Sequence, residues 1–430
     1  MTAPPLALRS SLAWLRADPA HHPDALVYHE DGLIFLSGGR IQMAGPFDQL
    51  VGQLPSQISP EEIKDALVIP GLIDLHTHFP QTDMIASYGE QLLDWLANYT
   101  FPTELAFADA AHSREVARAF TDELIRHGTT TALVFGTVHA EAVDHLFSEA
   151  AAINMRMIAG KVLMDRNAPE GLLDGADYGE AACRHLIEKW HGYQRLSYAL
   201  TPRFAPTSSP DQLAMTGRLL AETPSLYLQT HMSENPSEIA WVTSLFPECE
   251  GYLDTYDTFN LVGSRSVFAH CIHLTDRERT RLADAGSSIA FCPTSNLFLG
   301  SGLFDYEKCK QANLSIGLGT DIGAGTSFSL LSTMGEAYKV GQLRGAPLPP
   351  CEAFYMATLG GAKALSLDHA IGTLAPGTEA DLVVLDMKAT SLIGRRMANA
   401  PRLEDRLFAL AILGDDRAIA RTYIDGRRVK

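Results

Sequence analysis

Two histidines at alternate positions close an apolar stretch and are the strongest chemical feature of the chain. The stretch covers residues 67–75 and ends in His76-Thr77-His78. Residues i and i+2 of a β-strand point to the same face, so both imidazoles can reach one metal ion. The spacing therefore predicts part of a metal site at the end of a strand, and it directs the search to further ligands.

Three other apolar stretches also end in a residue that can bind a metal ion, namely His231, His270 and Asp321. His273 lies beside His270, and from spacing alone either of them fits as the ligand. Imidazole and carboxylate ligands suit Zn²⁺ or Fe²⁺, and the lack of thiolate ligands argues against a structural zinc site. The pattern therefore indicates a catalytic site for a divalent transition metal.

A further carboxylate, Glu234, lies three residues after His231. A catalytic metal site leaves one coordination position for water, and the metal lowers the pKa of that water until hydroxide is available near neutral pH. A carboxylate that is not a ligand can then transfer protons. We therefore expect Glu234 to act as a general acid and base in a hydrolytic reaction.

The elements that must position these residues are alternating strands and helices between residues 69 and 370. Eight apolar stretches separated by amphipathic helical stretches predict a (β/α)8 barrel, with a doubly wound open sheet as the alternative. The active residues of a barrel lie at the C-terminal ends of its strands, so a barrel would bring all the candidates to one rim. The strands are expected at 68–76, 130–136, 156–164, 196–202, 226–231, 266–272, 287–292 and 314–320.

The two ends of the chain have the pattern of short strands and turns. Asp31-Gly32 and Asp425-Gly426 are typical of hairpin turns. Neither end has enough strands to bury a core, so we predict one small β-sandwich domain formed from residues 1–68 and 371–430. The segment 84–112 is expected to follow the first barrel strand at the rim, as a lid or a subunit contact.

Composition excludes several classes of function. The 430 residues carry a formal net charge of −17, which disfavours binding to nucleic acid because an acidic surface repels phosphate groups. The six cysteines are scattered without a Cys-x-x-Cys pair, which suits a reducing cytoplasm. No run of 18 apolar residues is present, so no contact with a membrane is expected.

Several segments resemble the amidohydrolase superfamily over nearly the whole chain. They are Pro-Gly-Leu-Ile-Asp-Leu-His-Thr-His at 70–78, Thr-His-Met-Ser-Glu at 230–234, Ala-His-Cys-Ile-His-Leu at 269–274, Gly-Thr-Asp at 319–321 and Gly-Thr-Glu-Ala-Asp-Leu-Val-Val-Leu-Asp at 377–386. More narrowly, the chain resembles the guanine deaminase branch of that superfamily. The segments that carry the narrower resemblance are 79–83, 93–96, 99–104, 202–208 and 292–296.

The resemblance implies one Zn²⁺ per subunit, with Fe²⁺ as the alternative, bound by His76, His78, His231 and Asp321. A single metal is expected because the fourth strand ends in Pro202-Arg203, without the lysine that bridges two metals in some members. The resemblance also implies a homodimer.

The resemblance places His270, rather than His273, beside the metal in contact with water or substrate. It assigns the proton transfer to Glu234, with Asp321 assisting. The residues that match substrate-pocket positions are Gln81, Arg203, Phe204, His231, Glu234, His270 and Asp321.

The activity that the resemblance implies is hydrolytic deamination of guanine to xanthine and ammonia. Water would attack C2 of guanine, which bears the exocyclic amine. Arg203 would donate a hydrogen bond to O6 and so reject adenine, which has an amino group there. The alternative is a related amidohydrolase that deaminates or dechlorinates another N-heterocycle, such as 8-oxoguanine, a triazine, a pterin or an adenosine-type substrate.

Overall fold

A parallel β-barrel forms the centre of the protein, and a second sheet built from both ends of the chain packs beside it. The structure is a computed structural model that describes residues 3–89, 91–175 and 177–430. Its strands are β1 Leu6–Leu15, β2 Leu26–Ser37, β3 Arg40–Pro46, β4 Glu61–Pro70, β5 Leu72–His78, β6 Thr129–Phe135, β7 Arg156–Gly160, β8 Val162–Leu163, β9 Leu196–Pro202, β10 Tyr227–Met232, β11 Ser266–His270, β12 Ser288–Phe291, β13 Ser315–Leu318, β14 Leu382–Asp386, β15 Ile419–Ile424 and β16 Arg427–Arg428.

The α-helices lie mainly between the barrel strands. They are α1 Phe47–Leu50, α2 Leu92–Trp95, α3 Phe101–Leu105, α4 Ala110–Arg126, α5 Ala140–Ala152, α6 Tyr178–Trp190, α7 Pro210–Glu222, α8 Pro236–Leu245, α9 Tyr252–Asp257, α10 Asp276–Asp284, α11 Pro293–Phe298, α12 Tyr306–Gln311, α13 Leu330–Leu343, α14 Pro350–Met356, α15 Leu359–Ala364, α16 Ser391–Ala398 and α17 Leu403–Leu413. In the described part of the chain, none of these helices is both long enough and apolar enough to cross a membrane.

The barrel strands are all parallel, in the order β5-β6-β7-β9-β10-β11-β12-β13, and β8 continues the position of β7 by pairing with β9. Two backbone hydrogen bonds join the end of β5 to the segment after β13: Asp321 N donates to His76 O at 2.8 Å, and His78 N donates to Ile322 O at 3.2 Å. The sheet therefore closes at this end, which confirms the predicted barrel and excludes the open-sheet alternative.

Burial on both faces explains why the barrel strands are apolar stretches without strict alternation. The side chains of one face fill the barrel, and those of the other pack under the helices. The interior cluster includes Ile73, Leu75, Leu133, Ile158, Ala199, Tyr227, Val267, Ala269 and Ala290. This interior is packed, and the candidate metal ligands lie at the rim, where the strands end.

The first barrel strand begins later than the sequence indicated. The apolar stretch is divided at Pro70-Gly71, so that β4 pairs with β1 and β14 in the terminal sheet, and β5 pairs with β6 in the barrel. Gly71 N donates to Asp381 O at 2.9 Å, and a Cβ on Gly71 would lie 2.0 Å from Thr130 Oγ1. The chain passes from one sheet to the other at a residue that has no room for a side chain.

The terminal sheet has seven strands in the order β16-β15-β14-β4-β1-β2-β3. The edge strand β3 and the turn before it are hydrogen-bonded to the segment that precedes β14. Ile41 N donates to Thr378 O at 2.9 Å, and Ala380 N donates to Gly39 O at 2.8 Å. The sheet thereby encloses a core contributed by strands from both ends of the chain. This arrangement confirms the predicted β domain made from both termini.

One predicted hairpin is wrong and the other is present. Asp31-Gly32 lies inside the continuous strand β2, which pairs with β1 on both sides of a register shift between Ser10 and Leu12. The ion pair of Asp31 with Arg9, 2.8 Å long, accounts for a polar residue in this strand. Asp425-Gly426 does form a turn, with φ values of +52° and +74°, between β15 and β16.

Residues 79–89 and 91–108, which we call the cap segment, follow β5 and cover the rim of the barrel. The segment contains α2, a π-helical turn at Leu96–Thr100 and α3. Leu92, Trp95 and Leu96 are buried against Phe204 and other apolar side chains at the rim. The predicted rim segment therefore packs over the barrel opening.

Candidate active site

Four ligand atoms meet at the C-terminal end of the barrel with the spacing of a tetrahedral metal site. His78 Nε2 lies 3.2 Å from His76 Nε2 and 3.2 Å from His231 Nε2. Asp321 Oδ1 lies 3.2 Å from His76 Nε2 and 3.3 Å from His78 Nε2. A Zn²⁺ ion with bonds of about 2.0–2.1 Å would hold its tetrahedral ligands about 3.3 Å apart. Four of the six distances between these ligand atoms therefore match a zinc-sized cation.

The protonation of the histidines also favours a cation. Burial lowers the pKa of His78 to about 3, and burial together with the neighbouring imidazoles holds the pKa of His231 well below its usual value. His231 Nδ1 donates to Arg203 O at 2.6 Å, which leaves the lone pair of Nε2 for a metal. Neutral imidazoles whose Nε2 atoms face one another cannot all be paired by hydrogen bonds, whereas a shared cation satisfies them.

Asp321 is held in place by a residue that the sequence reasoning missed. Asp74 accepts hydrogen bonds from Thr320 N at 3.0 Å and Thr320 Oγ1 at 2.5 Å, and also from His76 N at 3.1 Å. Asp74 is completely buried, and burial raises its pKa to about 6. A single carboxylate thus fixes the backbone beside two of the four converging residues. Its position two residues before His76, on the same strand face, was the available clue.

Glu234 and His270 lie next to these four side chains, and a ligand atom of His270 lies within 4.8 Å of ligand atoms of His76, His231 and Asp321. His270 Nε2 is 3.4 Å from Glu234 Oε2 and 3.8 Å from Asp321 Oδ2. Burial, and then repulsion from Asp321, raises the pKa of Glu234 well above its usual value. Burial lowers the pKa of His270 to about 3. A carboxyl group with a raised pKa and a neutral imidazole therefore lie side by side next to the ligand atoms.

Neighbouring side chains fix the orientation of both groups. Ser301 Oγ donates to Glu234 Oε1 at 3.1 Å, and Asn296 Nδ2 contacts His270 Nδ1 at 2.9 Å. His273 turns away from the cluster, and its Nε2 contacts the backbone oxygen of Ser301 at 2.9 Å. The structure thus separates His270 from His273, which spacing had left equivalent.

The backbone is left-handed at three of the strand ends that form the cluster. Ser233, His270 and Asp321 have φ values of +51°, +70° and +53°. Such values are unfavourable for residues other than glycine and concentrate at functional sites. The turn that each residue makes directs a side chain from the strand end into the opening of the barrel.

The wall opposite the cluster contains the other predicted site residues, Gln81, Arg203 and Phe204. All three are buried and line the same pocket as His78, His231, Glu234, His270 and Asp321. Arg203 Nη1 donates to both carboxylate oxygens of Glu104, at 2.9 Å each, and the guanidinium lies 5.6 Å from the centre of the Phe101 ring. Glu104 was not among the predicted site residues, because nothing in its local sequence shows that it contacts a residue 99 positions away.

Apolar side chains complete the pocket. Leu92, Trp95 and Leu96 of the cap segment close one side, together with Leu299 and Ala324. The pocket thus combines apolar side chains with the polar groups described above, a lining that is typical of small-molecule sites.

A sequence model of the amidohydrolase family matches residues 67–429. The chain belongs to this family.

Guanine deaminases are among the most similar amidohydrolases. Guanine deaminase of Escherichia coli (strain K12) is 55% identical over 377 residues, which cover 88% of this chain and 86% of the relative. The solved structure of E. coli guanine deaminase superposes with a TM-score of 0.97 at 51% identity, over 99% of both chains. The structure of guanine deaminase from C. acetobutylicum with guanine bound in its active site superposes with a TM-score of 0.90 at 29% identity, over 99% of this chain and 100% of that one.

Proposed function

We propose that the protein is a metal-dependent hydrolase that converts guanine and water to xanthine and ammonia. The observation that carries the proposal is one buried pocket whose lining combines His78, His231 and Asp321 of the metal-ligand cluster with Glu234 and Arg203. The similarity to guanine deaminases, including one with guanine bound in its active site, supports the choice of substrate.

We assign metal binding to His76, His78, His231 and Asp321, with one Zn²⁺ as the ion and Fe²⁺ as the alternative. The distances of 3.2–3.3 Å between neighbouring ligand atoms support this set. His270 is left outside it, since its Nε2 is nearer to Glu234 than to any ligand atom of Asp321. A divalent ion at this position would supply hydroxide near neutral pH by lowering the pKa of water.

We assign the proton transfers to Glu234, with Asp321 assisting. The carboxylate of Glu234 takes one proton from the attacking water and passes it to the ring nitrogen N3, then takes the remaining proton from the oxygen on C2 and passes it to the leaving amine. The C2–N bond breaks, a C2–O bond forms, and ammonia leaves. The raised pKa of Glu234 suits a group that must both accept and release a proton near neutral pH. His270 contacts the water or the substrate on the same side.

We assign substrate recognition to Arg203, Phe204 and Gln81. Arg203 donates to the O6 carbonyl of guanine, while Phe204 packs on the purine face and Gln81 borders the ring. A pocket built to donate to O6 discriminates strongly against adenine, by about 10⁴-fold in comparable sites, because the donor would lose its acceptor.

An assay of ammonia release tests the proposal directly. The purified protein is given guanine, adenine, 8-oxoguanine, a pterin and a triazine, before and after treatment with a chelator. We expect guanine to be the best substrate, activity to disappear with the chelator, and Zn²⁺ or Fe²⁺ to restore it. Faster turnover of another heterocycle, or activity that survives complete loss of metal, would contradict the proposal.

A homodimeric assembly and a cytoplasmic location remain predictions. The six cysteines are unpaired, which supports a reducing compartment. Light scattering of the purified protein would reveal the assembly, and a mass of one chain would show that the homodimer prediction is wrong.

A further inference from the structure

The carboxylate of Glu104 connects the cap segment to the polar groups of the pocket. Glu104 lies on α3 and is completely buried. Its oxygens accept both hydrogen bonds from Arg203 Nη1, and Oε1 also accepts one from Gln81 Nε2 at 3.2 Å. Gln81 Oε1 in turn accepts from Gly323 N at 3.2 Å. One carboxylate therefore restrains two pocket-lining side chains.

The contact leaves part of Arg203 available for a ligand. Only Nη1 is used by Glu104, and within the described ranges neither Nη2 nor Nε of Arg203 has a hydrogen-bond partner. The side chain is 3% exposed and lines the pocket, so these donors are largely shielded from bulk solvent. A fixed guanidinium with unused donors is suited to a planar acceptor.

The charge of Glu104 matters as well as its geometry. An unpaired guanidinium in a buried pocket would attract anions and would be costly to desolvate. With Glu104 beside it, the pair carries no net charge, while the remaining N–H groups still donate. The pocket wall is then matched to an uncharged carbonyl oxygen. A buried ion pair is itself weak evidence for a role in stability, because apolar residues of similar volume often stabilise a protein as well.

We propose that Glu104 is a positioning residue that sets specificity for the 6-oxo group of the substrate by holding Arg203 and Gln81 in place. The inference rests on the proposed function, since the 6-oxo group is the acceptor assigned to Arg203. Glu104 itself does not need to touch the substrate.

Binding of two ligands to the metal-loaded enzyme tests the role without depending on turnover. Hypoxanthine carries the 6-oxo group and lacks the 2-amine, whereas purine lacks both. We expect wild type to prefer hypoxanthine and Glu104→Gln to reduce that preference at least about tenfold, mostly through weaker hypoxanthine binding. Calorimetry gives both Kd values, and Glu115→Gln, at an exposed position on α4, serves as the control.

Glu104→Asp provides a second test in case Glu104→Gln is unstable. It keeps the charge but withdraws the carboxylate by one methylene, so charge balance is preserved while the positions of Arg203 and Gln81 are not. We expect a reduced preference for hypoxanthine with metal content unchanged. An unchanged preference in both folded variants, or equal weakening of both ligands, would overturn the inference and indicate a structural role.

The assay with guanine separates this inference from the proposed function. If wild type does not deaminate guanine, the proposed function fails, whatever Glu104 does. If wild type deaminates guanine and the variants retain the ligand preference, only the role of Glu104 fails. For guanine itself we expect Glu104→Gln to raise KM more than it lowers kcat, because the lost contact acts on binding at a distance from C2.

Discussion

Different parts of the backbone hold the two groups of pocket residues. We call the metal-ligand cluster one end of the pocket, and Gln81, Arg203 and Phe204 the recognition end. The metal-ligand cluster lies at the ends of β5 and β10 and just after β13, where parallel strands hydrogen-bond to one another. The recognition end combines Arg203 and Phe204, which directly follow β9, with Gln81 of the cap segment, and Glu104 on α3 contacts both Arg203 and Gln81. The α-helices α2 and α3 of the cap segment have four and five residues. Helices this short are not stable alone, so tertiary contacts must hold them. The strands thus hold the reacting groups, and the cap segment helps to hold the groups that select the substrate.

This difference predicts which kinetic parameters a substitution at each end of the pocket should change. Changes at the strand ends should lower kcat or metal content, since they alter the reacting groups. Changes at the recognition end should mainly raise KM and alter the preference between substrates. A variant that behaves in the opposite way would show that the two ends are not separable.

The largest effect is expected from Glu234→Gln, which removes proton transfer but keeps the size and burial of the side chain. We expect kcat for guanine to fall by about 10³-fold or more, because general acid–base catalysis contributes on this scale. Metal content should remain unchanged, since Glu234 is outside the ligand cluster. Steady-state kinetics and elemental analysis of the purified variant measure both.

The matched control for this variant is Glu248→Gln, which makes the same chemical change at an exposed position. Loss of metal from Glu234→Gln would move Glu234 into the ligand set. Near-normal turnover would remove it from the mechanism altogether and leave His270 and Asp321 as the remaining candidates.

A smaller effect, on the other end of the pocket, is expected from Arg203→Ala. We expect kcat/KM for guanine to fall by about 10²-fold, since a lost hydrogen bond to a charged donor amounts to about 1.5–3 kcal/mol. The preference for guanine over adenine should fall with it. Because the backbone oxygen that orients His231 is retained, metal content should not change.

Arg118→Ala, at an exposed position on α4, controls for the loss of an arginine. Arg203→Ala also leaves Glu104 buried without its partner, so the melting temperature should fall. If kcat/KM for guanine were unchanged in the folded variant, O6 would have to be recognised by another group.

The sequence predicts the two ends of the pocket unequally, for a physical reason. His76 and His78 alternate along one strand, and closure of the barrel brings the strand ends together, so His76, His78, His231, His270 and Asp321 could be identified together as candidates. The partnership between Glu104 and Arg203 depends on how the cap segment folds back, and no local periodicity encodes it. The substrate-binding roles of Gln81 and Arg203 were assigned only through resemblance to a family, although Arg203 already stood at the end of a predicted strand.

The same limit applies to the terminal sheet. An Asp-Gly pair between apolar residues is typical of a turn, yet Asp31-Gly32 lies within β2 because β1 offers a partner along its whole length. At Asp425-Gly426 the strands on either side pair with each other, and the turn forms. Whether an Asp-Gly pair forms a turn therefore depends on which strands pair with one another. The local sequence does not show that pairing.

The smallest effect, and the sharpest test of the strand framework, is expected from Asp74→Asn. Asp74 contacts no substrate-facing group, but it accepts hydrogen bonds from Thr320 and from His76 N, one on each side of the ligand cluster. An asparagine can keep both backbone hydrogen bonds through Oδ1, but its Nδ2 would then face Thr320 Oγ1, which would have to accept rather than donate, and the negative charge would be lost. We expect metal affinity to fall by about 10–100-fold, the usual effect of changing a group that orients metal ligands.

With metal in excess, Asp74→Asn should recover much of its kcat, and its KM for guanine should stay near the wild-type value, because the recognition end is untouched. Asp122→Asn, at an exposed position on α4, is the control. Competition with a metal-binding dye measures the affinity. A raised KM with normal metal affinity would mean that a strand-end residue governs substrate recognition, and the division between the two ends of the pocket would then be wrong.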